Sequence, residues 1–157
     1  MKPTRNPARR ELAFSSLDQV MPEVDRLLAG YSKVGNWSLG QMCNHLTSGI
    51  TGSVEGFPLQ APWLLRKTLG RRIIRGILKE GKMREGVQIP EAIRPKPGLD
   101  DRAEAEALRA AIRLFAAHHG PLAAHPLGPP LSRSEWERLH SIHCAHHLSF
   151  AIPDRSP

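Results

Sequence analysis

The stretch from Ser132 to Ile152 constrains the fold more than any other, because it carries both a helix start and a face of histidines. Ser132 can cap a helix, and Glu135, three residues on, can reach back to it. Leu131 and Trp136 stand where a hydrophobic staple stands. At about 3.6 residues per turn, His143 and His147 stack one turn apart, with His140 close beside them. Trp136, Leu139 and Phe150 flank this stripe, which is therefore predicted to face a core. Four of the chain's eight histidines, His140, His143, His146 and His147, lie in it. Several imidazoles on an inward face are hard to satisfy with protein hydrogen bonds alone, whereas a metal ion takes one lone pair from each. One histidine on an apolar face is usually a hydrogen-bonded core residue. A pair at i and i+4 makes metal and no metal about equally good readings until a third ligand is found on another helix.

Length sets the frame for that search. A chain of 157 residues is one domain and long enough to bury a core. The reading is a single helical domain over 11–152, with a flexible basic arm at 1–10 and a fraying tail at 153–157. The arm lacks an apolar run, so neither a signal peptide nor a membrane span is expected, and the location is read as cytoplasmic. Cys43 and Cys144 imply no disulfide framework. A formal net charge of +7 permits an acidic partner without identifying one.

Ser16 and Gln19 offer another capping box, after which Leu17, Val20, Val24, Leu27 and Leu28 repeat at helical spacing up to a stop near Gly30. Residues 31–37 read as a linker. A second helix opens at Ser38, with Gln41 completing a box and Trp37 stapled on Met42, and runs through Val54. His45 shares a face with Gln41 and Gly49, where small side chains leave room for an ion or for close helix approach. It is the third histidine that the C-terminal stripe lacks, although a lone histidine there is more often a core or surface residue.

A third helical segment is predicted over 62–79, with Leu69, Ile73, Ile74, Ile77 and Leu78 on one side and Arg71, Arg72, Arg75 and Lys79 on the other. Its basic face is read as solvated. The sharper alternatives are an anionic substrate, an acidic membrane surface or nucleic acid, the last without a motif or interleaved aromatics to support it. Residues 81–98 are irregular, broken by Pro90, Pro95 and Pro97. A fourth helix starts at Asp100–Asp101, buries Leu108, Ala111, Ile112 and Phe115, and ends near His119–Gly120, where His118 and His119 suit the negative end of the helix dipole. No run alternates as a strand does. The pattern predicts an all-α chain arranged as a helical bundle, a fold that builds metal sites from facing helices.

Asn36-Trp37-Ser38-Leu39-Gly40-Gln41, followed by Asn44-His45-Leu46, resembles the second-helix signature of the DinB/YfiT-like superfamily of metalloenzymes. His143-Cys144-Ala145-His146-His147-Leu148 resembles its C-terminal H-x-x-H-H motif. His125-Pro126-Leu127-Gly128, Glu135-Trp136 and the ending His147-Leu148-Ser149-Phe150 resemble one branch of it, a domain of unknown function. The resemblance covers about Glu11 to Ile152. It implies a DinB-like four-helix bundle in up-down-down-up order, with an extra short helix in the middle, and a homodimer. It also implies a divalent metal held by His45, His143 and His147, with His146 outside the main ligand set. Relatives in the superfamily include transferases and isomerases that use low-molecular-weight thiols, and metal-dependent hydrolases.

Three neutral imidazoles leave open positions on a divalent ion, which can bind water and lower its pKa or take a thiol as thiolate. Imidazole ligation suits zinc, nickel or iron alike. Catalytic residues stay unassigned: Glu55 and Glu135 are the nearest general-base candidates, and Glu135 is better explained as a cap. Cys43 and Cys144 read as small buried residues. The first functional reading is a metal-dependent enzyme, a transferase or hydrolase, acting on a small-molecule substrate. The alternative is a non-catalytic binding or interaction module whose metal is structural or lost and whose basic helix meets an anionic partner.

Overall fold

The computed structural model describes residues 9–154, and within them the chain is mostly helical. Helix α2 (Leu39–Glu55) starts where its sequence has answers for the unpaired N–H groups of a first turn. Ser38 Oγ accepts from the Gln41 N–H, and the Gln41 side chain accepts from the Ser38 N–H at 3.0 Å. Asp101 Oδ1 takes the Gly40 N–H at 2.6 Å, and Tyr31 Oη takes the Leu39 N–H at 2.8 Å. The Tyr31 hydroxyl in turn donates to Asp101 Oδ2 at 3.0 Å. Gly40 permits this close approach: a Cβ there would stand 3.0 Å from the Leu99 carbonyl oxygen. The start of α2 is thereby tied to the start of α5 (Asp101–Ala117), whose own N-cap, Asp100, accepts from the Ala103 N–H at 2.8 Å.

Helix α6 (Arg133–Leu148) opens on the box formed by Ser132 and Glu135, with both reciprocal hydrogen bonds present. Helix α1 (Val20–Leu28) differs from expectation at its start. Ser16 makes no side-chain cap, and residues Leu17–Gln19 form a 3-10 turn instead. The Gln19 side chain accepts from the Ser15 N–H at 2.8 Å, so its carbonyl oxygen is occupied one residue before the box would need it.

The core draws on several helices. Val20, Val24 and Leu27 of α1, Leu39, Met42, Leu46 and Ile50 of α2, Leu108 and Phe115 of α5, and Trp136, Leu139 and Leu148 of α6 are all buried. Each such side chain contributes about 1.5–3 kcal/mol over an exposed one. Helix α2 packs extensively along α5, and it also meets α6.

The predicted third segment is divided. A single turn, α3 (Trp63–Leu65), leads through a wide π turn (Arg66–Gly70) into α4 (Arg71–Glu80). The π turn inserts an extra residue and rotates α4 relative to α3. Ile74 is buried and Ile77 and Leu78 are half-buried, but Leu69 and Ile73 are 55% and 50% exposed, contrary to the single apolar face expected. The short extra helix of the middle region is thus joined by a 3-10 turn, Glu91–Ile93, in the proline-rich stretch.

Two strands that no alternation announced close the fold. β1 (Tyr31–Lys33), expected as linker, pairs antiparallel with β2 (Ala151–Pro153). The Asp154 N–H then donates to the Gly30 carbonyl at 2.9 Å, so the first two residues of the expected tail are held. Arg9 and Arg10, expected in a loose arm, are also held: Arg10 donates to the Ala151 carbonyl at 2.7 Å and to Glu23 at 2.5 Å. The remainder of the arm and tail lies outside the described residues. No helix among them is long and apolar enough to cross a membrane.

Candidate metal centre

His45 stands on the second turn of α2, and His143 and His147 stand one turn apart on α6. The packing of α2 on α6 brings their rings together. His45 Nε2 lies 3.1 Å from His143 Nε2, and His147 Nε2 lies 3.0 Å from the same atom. The three histidines can each offer one ring nitrogen within 4.8 Å of the others, close enough to hold a metal ion. Gly49, one turn beyond His45, faces the same ring: a Cβ on it would stand in ordinary contact with His143 Nδ1 at 3.7 Å.

The arrangement at His143 is not one that hydrogen bonds explain. A neutral imidazole nitrogen carries either one proton or one in-plane lone pair, so Nε2 can serve one of its two neighbours and not both. An ion between three lone pairs accounts for all three positions at once. Two nitrogens at about 2.0–2.1 Å from zinc, at a tetrahedral angle, stand about 3.3 Å apart, close to the spacing observed. The donor set therefore fits a divalent metal.

Electrostatics favour the form that coordinates. Burial pushes the His45 pKa down to about 4. His143 and His147 are driven well below the usual imidazole range by burial first and by the neighbouring histidines second. All three are neutral near pH 7, and all three remain half-buried and not sealed.

Surrounding groups orient the rings. Trp37, expected as a staple on Met42, stacks on His147 with centroids 5.2 Å apart and planes within 14°, and tilts over His45 at the same distance. His146 lies outside the triad. Its Nδ1 is 3.2 Å from Arg9 Nη2, whose guanidinium also reaches Ser149 Oγ at 2.6 Å and Glu85 at 2.8 Å. His140, expected beside the stripe, faces another way. It is buried, shares a 2.9 Å hydrogen bond with Ser53 Oγ and stacks on Trp136. Ser53 Oγ donates to the Ile50 carbonyl at 2.6 Å, so the hydroxyl accepts from His140 and this pair is a core contact. His125 stacks on the other partner in that row, Trp136, at 5.3 Å.

The remaining candidates fall away from the triad. His118 caps α5, and its Nε2 lies 3.0 Å from the Pro121 carbonyl. Both cysteines are buried, and burial raises each thiol pKa, that of Cys43 to about 12, so neither is a thiolate near neutrality. Glu135 is held in its capping box and paired with Arg75, and Glu55 is exposed at the end of α2. Trp37 and Arg9 are the neighbours that sequence reasoning missed. The adjacency of Trp37 to the Ser38 cap was a signal for its position, whereas Arg9 lies far from the site along the chain and carried none.

Residues 6–154 match the family described as "Protein of unknown function (DUF1569)". The chain belongs to this family. The DUF1569 match takes in α2 and α6 and with them His45, His143 and His147. No curated protein and no solved structure matches the chain.

Proposed function

We propose that this protein binds a divalent metal through His45, His143 and His147 and is a metal-dependent enzyme acting on a small molecule. The observation that carries the reading is the double contact at His143 Nε2, an atom that has either one proton or one lone pair and so can serve only one of its two neighbours. When bound, the ion supplies Lewis acidity that lowers the pKa of a coordinated water or thiol. The three imidazoles present that chemistry from rigid helices, and zinc, nickel and iron are all compatible with them. Trp37 and the half-buried rings restrict water around the site, and the Arg9 guanidinium, paired with Glu85, braces His146 beside the triad.

Thiol transfer with a low-molecular-weight thiol, or hydrolysis, is the reaction class we favour, on the strength of the motif resemblance to the DinB/YfiT-like superfamily. On the same ground the helices α1, α2, α5 and α6 are read as a DinB-like four-helix bundle in up-down-down-up order, and the protein as a cytoplasmic homodimer. The capped starts of α2 and α6 and the core shared by these four helices support the bundle.

Protein purified without a histidine tag or added metal tests the reading by elemental analysis, followed by titration with zinc, nickel and iron. One ion per chain, absent from the His143→Ala variant, is expected. A wild type that takes up no ion in titration overturns it. Assays of the loaded protein with small thiols and with hydrolysable amides then separate transferase from hydrolase.

A further inference from the structure

The wide turn between α3 and α4 has a second feature besides its rotation of the helix. Arg66 and Lys67 of the turn and Arg71, the first residue of α4, line one cavity of about 440 Å³ together with Trp63, Pro129 and Pro130. None of these three cations is ion-paired with an acid among the described residues, in contrast to Arg75 one turn on, which pairs with Glu135. Arg66 Nε is buried and has no hydrogen-bond partner among the described residues. A buried donor without an acceptor is uncommon.

The walls of the cleft are locked to each other. Gly70, buried in the π turn, lies so close to the 124–130 loop that a Cβ on it would stand 1.6 Å from the Leu127 carbonyl oxygen. The Ala61 N–H donates to the Pro126 carbonyl at 2.8 Å, which ties the same loop to the chain leading into α3. Lys67 Nζ sits 4.4 Å over the Trp63 ring, an arrangement that holds both side chains at the rim. π turns inside helices occur often at functional sites, where the extra residue re-aims side chains.

We propose that this cleft binds the phosphate group of an organic phosphate, with Arg66, Lys67 and Arg71 holding its oxygens and Trp63, Pro129 and Pro130 packing on the organic part. Two guanidinium forks and an ammonium match a group with several anionic oxygens better than a single carboxylate does. The bound oxygens supply the negative charge that the protein leaves out around Arg66. The site stands apart from the three histidines in its residues and its chemistry, and it does not depend on a metal there.

Calorimetry on the full chain, with inorganic phosphate, phenyl phosphate and phenyl glucoside as probes, tests the proposal. Phenyl phosphate is expected to bind more tightly than inorganic phosphate, and phenyl glucoside not at all. Arg71→Gln and Lys67→Gln, both at exposed positions, are each expected to weaken phenyl phosphate by about tenfold, with unchanged circular dichroism. Trp63→Ala is expected to remove the preference for the phenyl ester. Vesicles of phosphatidylglycerol and phosphatidylcholine in equal parts identify the source. Sedimentation with them that Arg71→Gln abolishes marks a lipid headgroup, and no sedimentation marks a soluble ester; the phosphate site stands in both cases. Failure of both phosphate probes, binding of phenyl glucoside as tight as that of phenyl phosphate, or binding indifferent to both cation variants overturns it.

Discussion

His143 Nε2 has neighbours on two sides, His45 and His147, at 3.1 and 3.0 Å, and removal of any of the three has the same expected outcome. His143→Ala, His45→Ala and His147→Ala should each lower zinc affinity by at least about tenfold, since each deletes one of three ligands. His118→Ala should leave it unchanged, because His118 stands at the C-terminal end of α5, outside the triad, with its Nε2 against the Pro121 carbonyl. Elemental analysis of the four variants after dialysis against a common zinc buffer checks this. An equal loss in His118→Ala would refute the assignment. The spacing of His143 and His147 was legible from sequence, because four residues return a helix to the same face. The role of His140 was not: three residues also return to nearly the same face, and the ring instead sits among Ser53, Trp136 and Phe115.

At the scale of the elements, capping separates the helices that start as written from the one that does not. Ser38 and Ser132 each accept from the N–H three residues on, within a reciprocal box. Ser38→Ala and Ser132→Ala should each lose about 1 kcal/mol of stability. Ser16→Ala should cost no more than about 0.5 kcal/mol, since that hydroxyl makes no cap bond. Urea unfolding of the three variants measures the contrast, and an equal cost at Ser16 would show that its box does form. Gly70→Ala should be worse than any of these, because its Cβ would collide with the Leu127 carbonyl oxygen. A loss of about 1–3 kcal/mol or more is expected from such overpacking. The α3–α4 region was the least legible element. Its residues alternate in polarity at helical spacing, but the π turn lies against the distant 124–130 loop, and the pattern carries no mark of that contact.

For the whole molecule, the buried histidines make stability depend on pH. Burial first and His125 second lower the His140 pKa to about 3. In the unfolded chain it lies near the ordinary value of about 6.5. Between those values the unfolded state holds the proton and the folded state does not, so stability falls as pH drops through that window and is unaffected by this group above it. The groups around the ring are His125, Trp136, Phe115 and Ser53, and none is an acid that would keep the proton. The unfolding free energy should decline by up to about 1.4 kcal/mol per pH unit for each such histidine. In His140→Gln, which keeps a hydrogen-bonding group for Ser53, the slope between about pH 4 and 6 should be shallower by up to that amount. Denaturant unfolding across that range reads it directly; identical slopes in wild type and variant would show that His140 does not titrate with folding.

Local chemistry in the sequence was enough for the helical class of the chain, the starts of α2 and α6, the pair of histidines on one face of α6 and the candidacy of His45. Each of these depends on residues within about two turns of one another, where spacing alone dictates geometry. Contacts between distant segments were decided by tertiary structure. β1 meets β2 across more than a hundred residues, Arg9 arrives beside His146 from the far end of the chain, and Trp37 stacks on His147 of the last helix. The approach of His45 to His143 belongs to both: the faces could be read one helix at a time, but the 3.1 Å separation exists only because α2 and α6 pack against each other in one register.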